Sequence, residues 1–137
     1  RARYDIYLER YIKDIAVEAR LTQEVARTMI QPAVSAAQSR LADTVLKLKQ
    51  LGLPSEGSAL AEISRLSVCL QEELSQLAQV EQASEVHHGC KVSHARYMRE
   101  KVVPAMERVR EMADALEGLV DDDVWPLPTY QELLFIR

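Results

Sequence analysis

Apolar residues recur every three or four positions along most of the chain, and this rhythm predicts three helices. In the first, Tyr4, Leu8, Tyr11, Ile15 and Ala19 lead to Val25, Met29, Ala33, Ala37, Leu41, Val45 and Leu48. They form one slowly drifting stripe, predicting a helix over about residues 3–50. Gly52 and Pro54 then supply a stop. A second helix, about 58–88, starts at Ser58 as N-cap and carries Leu60, Ile63, Leu66, Leu70, Leu74 and Leu77 before Gly89 breaks it. A third, about 93–120, follows Ser93 with Ala95, Met98, Val102, Ala105, Val109, Met112, Leu116 and Leu119. That seam resembles a coiled-coil face and calls for partner helices. Asp121, Asp122 and Asp123 put negative charge at the negative end of the helix dipole and disfavour continuation.

No stretch alternates with period two, so the expected fold is all-α. Short connections make it an up-down-up three-helix bundle over 1–120, with an extended tail over 121–137. At ~1.5 Å per residue the first helix is ~70 Å long and the other two ~45 Å. The first ~16 residues would then overhang the other helices. Pro32 in "MIQPAVSAA" and Pro104 in "KVVPAMERV" interrupt helical patterns; each removes an intrahelical bond and should kink its helix, the two bending together.

The tail "DDDVWPLPTYQELLFIR" differs in character from what precedes it. It holds the only Trp and the only Phe of the chain. Pro126 and Pro128 favour an extended backbone. Thr129 and Glu132 then form a capping box for a short helix through Tyr130–Phe135. "PLP" and "YQEL" also match short recognition motifs, but a capped docking helix accounts for the same residues. Together with the overhang, the tail supplies seven candidate docking residues: Tyr4, Tyr7, Tyr11, Trp125, Tyr130, Leu134 and Phe135. The alternative is a tail folded back on its own bundle.

Composition narrows the function classes. The 137 residues suit one domain, and 47% hydrophobic content suits a packed core. A net charge of −4 gives no electrostatic footprint for nucleic acid. No apolar run reaches the ~18 residues needed to span a bilayer. Two cysteines, Cys69 and Cys90, make no disulfide framework and point to a reducing, cytoplasmic setting. The chain opens "RARYDIYLERYIKDI", inside a helical pattern and without a capping signal, as expected of part of a longer polypeptide.

Candidate chemistry concentrates in "EVHHGCKVSH", where His87, His88, Cys90 and His94 are all capable metal ligands. Their spacing fits no common structural zinc pattern. Glu85 and His88 make one Glu-x-x-His pair, and a di-iron bundle needs two. The stretch reads as a polar helix–helix connection, with a metal site as the weaker alternative. Cys69, beside the apolar stripe, reads as packing. No phosphate-binding loop or nucleophile signature is present. We therefore assign no catalytic, cofactor-binding or metal residue.

Three stretches carry a resemblance: "RYDIYLERYIKDIAVEA" running into "ARTMIQPAV", then "VVPAMERVREMADALEGLVDDDVWP", then "WPLPTYQELLFIR". On these the chain resembles the C-terminal portion of type III glutamine synthetases. The middle, roughly Leu51 to Lys91, matches only as a variable helical hairpin. The resemblance implies a parent that ligates ammonia to glutamate through a γ-glutamyl phosphate, using ATP and divalent Mg or Mn. It implies two stacked hexameric rings with active sites between neighbouring subunits. The metal-binding glutamates and phosphate-binding arginines of that family lie in a catalytic barrel that this chain does not match. The expected role is a non-catalytic packing or assembly element. Its expected partners are the catalytic domain of the same polypeptide and neighbouring subunits, with no nucleic acid and no membrane. The alternative is a stand-alone helical scaffold or adaptor that self-associates.

Overall fold

The computed structural model of the chain describes residues 2–121 and 123–127. Among these the fold is all-α, with three helical stretches and no strand. The first comprises α1 (Ala2–Val25), a five-residue π-turn (Ala26–Ile30) and α2 (Gln31–Gln50). The second is α3 (Ser58–Ala83), closed by a 3₁₀ turn at Ser84–His87. The third comprises α4 (Lys91–Tyr97), a second π-turn (Met98–Val102) and α5 (Val103–Glu117). The short helix expected after Thr129 lies outside the described residues.

The helix ends have identifiable causes. α2 closes in a Schellman motif, with the Gly52 N–H on the Lys49 carbonyl at 3.1 Å and the Leu53 N–H on the Leu48 carbonyl at 2.9 Å. Gly52 has φ +73°, a conformation that only glycine adopts without strain. Ser58 is the first residue of α3 rather than its cap: its hydroxyl donates to Glu56 at 2.8 Å, and the Ala61 N–H bonds the Gly57 carbonyl. α4 starts at Lys91, two residues before the expected start at Ser93. α5 ends at Glu117, where Gly118 follows, ahead of the aspartates.

Both interior prolines follow the same local plan. Each π-turn ends two residues before a proline, Ile30 before Pro32 and Val102 before Pro104. Proline lacks an N–H, and its ring clashes with the carbonyl four residues back. In a π-turn a carbonyl reaches the N–H five residues on. The Val103 N–H on the Met98 carbonyl is one such bond. The widened turn thus relieves the conflict that a regular α-helix would have had to resolve by breaking. The buried positions match as well: Gln23, Ala26, Ile30, Ala33, Val34 and Ala37 around one proline, and Ala95, Met98, Val102, Ala105, Met106 and Val109 around the other.

This corrects the first stripe. Val25 is only half-buried and Met29 is exposed, whereas Gln23, Ala26 and Ile30 are buried in their place. The second stripe stands as expected, with Ile63, Leu66, Leu70, Leu74 and Leu77 all buried. In the third, Leu119 is exposed and Val120 buried instead.

The described residues divide into two compact units, one formed by those up to Val25 with Gln71–Glu111, the other by Ala26–Leu70 with those from Met112 onward. In the first unit α1 packs against α4 and the π-turn that follows it. There α3 and the third helical stretch run antiparallel. The Tyr97 hydroxyl donates to the Val80 carbonyl at 2.9 Å, and the Arg108 Nε donates to Glu73 at 3.1 Å. The buried Gln23 donates from Nε2 to Glu81 Oε1 at 2.6 Å, tying α1 to α3. In the second unit Gln38 Nε2 donates to the Ser64 hydroxyl at 2.9 Å, tying α2 to α3. Val120 and Trp125 are buried there, and the Trp125 N–H closes a turn on the Asp121 carbonyl.

The expected overhang of ~16 residues is shorter than helix-length arithmetic suggests. Leu8 and Ile15 are buried, and Glu9 pairs with Lys91. The arithmetic assumed helices ending level. Instead α4 begins at Lys91, soon after the 3₁₀ turn ends at His87, and packs against α1.

Candidate interaction surface

The N-terminal turns of α1 split their tyrosines between two environments. Tyr4 is 55% and Tyr7 64% exposed, while Leu8 is 7% exposed and Tyr11 half-buried. These side chains form one wall of an open groove of about 330 Å³. Val92, Ala95, Arg96 and Arg99 of α4 and its π-turn form the other wall. Exposed tyrosine rings beside aliphatic side chains are typical of contact surfaces, because a ring offers a large area at small entropic cost. The sequence grouped Tyr4, Tyr7 and Tyr11 in the expected overhang, and all three line this groove. It missed Arg96 and Arg99, which look like any surface charge until α4 is laid against α1.

The remaining docking candidates divide. Trp125 is buried by its own chain, which is the fold-back arrangement for that residue. Tyr130, Leu134 and Phe135 lie outside the described residues.

The histidine stretch folds into a linked turn. His87 Nδ1 lies 2.9 Å from the Ser93 hydroxyl, and its ring packs on Tyr97 with centroids 4.7 Å apart. His88 Nε2 lies 3.3 Å from Glu85 Oε1. The His88 and His94 rings meet at 5.0 Å. Burial, and secondarily the neighbouring His88 and His87, push the His94 pKa down, with Glu85 acting weakly the other way. His88 and His94 border a second groove, of about 570 Å³, also lined by Lys13 and Arg20 of α1 and by Glu81 and Glu85. Cys90 is exposed and Cys69 half-buried, both as free thiols. Among the described residues no three His, Cys, Asp or Glu side chains are grouped to hold a metal ion. The cluster instead satisfies itself through Ser93, Glu85 and ring contacts. Nor is any described helix long and apolar enough to cross a membrane.

Among the described residues, fold and surface together define an all-helical domain whose most exposed aromatic side chains, Tyr4 and Tyr7, line a groove beside the start of α1. The family described as "Glutamine synthetase C-terminal domain" matches residues 1–49. Over 99% of its length the chain is 30% identical to the type-3 glutamine synthetase of Dictyostelium discoideum. Over 98% it is 27% identical to a glutamine synthetase of Bacteroides fragilis, and over 98% it is 28% identical to one of Butyrivibrio fibrisolvens. The chain belongs to this C-terminal domain family and is homologous to the type III enzymes. It spans 20% of the length of each of these relatives.

Proposed function

We propose that the chain is a non-catalytic packing and assembly domain of a glutamine synthetase. The parent joins ammonia to glutamate at the expense of ATP, with divalent Mg or Mn held in the part of the polypeptide outside this chain. The domain docks on the catalytic body of its own polypeptide or on a neighbouring subunit of a homo-oligomer. It works in the cytoplasm, where its two free thiols stay reduced. The observation that carries this reading is the exposure of Tyr4 and Tyr7 along the groove, in a chain one-fifth the length of its relatives. Such rings gain most when a partner covers them.

The test is the parent polypeptide carrying Tyr4→Ser and Tyr7→Ser together. The expected result is a loss of assembly, seen by light scattering, with turnover per assembled active site retained. Intact assembly with lost turnover would instead make these residues part of the chemistry and sink the reading.

A further inference from the structure

The groove between α1 and α4 carries charge of one sign. Two of its eight lining residues are arginines, and none is a carboxylate. Arg99 has only a loose contact to its chain neighbour Glu100, at 3.7 Å. Among the described residues the Arg96 side chain has neither a hydrogen bond nor an ion pair. The nearby carboxylate of Glu9 is already engaged by Lys91. This groove therefore offers apolar rings along one wall and a free guanidinium on the other. Guanidinium groups favour carboxylates because their fork of donors matches two acceptor oxygens. A purely apolar occupant would strip water from Arg96 and give nothing back.

We propose that the groove receives an acidic, apolar segment of the parent polypeptide lying outside this chain. An aliphatic or aromatic side chain of that segment lies between the Tyr4, Tyr7 and Tyr11 rings, and its carboxylate pairs with Arg96 and Arg99. The inference rests on the docking role proposed above and adds the chemistry of the partner. Lengths are consistent with it, since most of each relative's length lies outside the region this chain matches. Arg99 belongs to the π-turn that precedes Pro104, so the same local device that accommodates the proline supplies one of the two charges.

Hydroxyl-radical footprinting of the intact parent protein tests this. Tyr4 and Tyr7 are more than half exposed in this chain, so a covering segment slows their oxidation strongly. The charge-reversed parent, Arg96→Glu with Arg99→Glu, should lose that protection and weaken the contact by about tenfold or more. The Lys-for-Arg pair should keep most of it, and added salt should weaken the wild-type contact. Three results overturn the proposal. Tyr4 and Tyr7 oxidising freely in an assembled parent means the domain docks by another face, and the assembly role survives. Free oxidation in a parent whose assembly also ignores removal of the domain defeats both readings. Protection that appears only as protein concentration rises assigns the groove to a second copy of this chain.

Discussion

The imidazole of His94 lies against that of His88, with ring centroids 5.0 Å apart and planes tilted by 34°. Burial disfavours the charged form of His94, and the neighbouring histidines add to this. Its folded pKa therefore lies below the ordinary value of 6.5. The stability this contributes is fully present above pH ~6.5 and is lost as pH falls through the folded value. Urea midpoints measured from pH 7.5 downward should decline below pH ~6.5, and His94→Gln should flatten that decline. Parallel curves for the two proteins would remove His94 as its source.

Gln23 is buried, with its amide on Glu81. Gln23→Leu leaves the Glu81 carboxylate without that donor and should cost about 1–3 kcal/mol. Gln23→Glu sets two carboxylates together and should cost more near neutral pH than in acid. Denaturant titration at two pH values separates these outcomes.

Leu70 has no exposed surface, whereas Val68 on the same helix is 54% exposed. Leu70→Ala should destabilise by about 2–5 kcal/mol through lost burial and the cavity left behind. Val68→Ala should change stability by less than about 0.5 kcal/mol. Similar effects at the two sites, by thermal or urea unfolding, would contradict the placement of α3.

In a regular helix interior, replacing proline with alanine would gain about 3 kcal/mol. At Pro32 and Pro104 the preceding π-turn already relieves the clash, and the buried neighbours Ile30 and Val102 hold that turn in place. The gain in Pro32→Ala or Pro104→Ala should therefore fall well short of that figure. A full gain would mean that proline alone, and not packing, maintains the π-turn.

The sequence made the second stripe plain because Ile63 to Leu77 are large, apolar and evenly spaced, so periodicity and burial agree. Around Pro32 they disagree. The buried positions there include a glutamine and a small alanine, and apolarity pointed to Val25 and Met29 instead. A proline announces that a helix is disturbed but not how the disturbance is absorbed, and nothing local spells out a π-turn. The sequence grouped the tyrosines of the groove only because they fall within the expected overhang. Arg96 was not legible, because its meaning depends on which helix lies opposite. The pairing of His88 with His94 depends on the tight turn at His87–Cys90, whose geometry spacing alone does not give. Trp125 misled for the opposite reason: an apolar residue near a chain end fits a docking anchor as well as a core residue.

The two π-turns give the domain a kind of slack. An α-helix advances about 100° per residue, and a π-turn fits one more residue into the same rotation. Each long helix therefore stores a spare residue just ahead of its proline, and every side chain beyond Pro32 or Pro104 is aimed one residue out of step with an unbroken helix. Losing one residue from either turn could be taken up by winding it into ordinary α-helix, leaving the downstream face aimed as before. The same loss in the middle of α3 would swing Leu70, Leu74 and Leu77 away from the core.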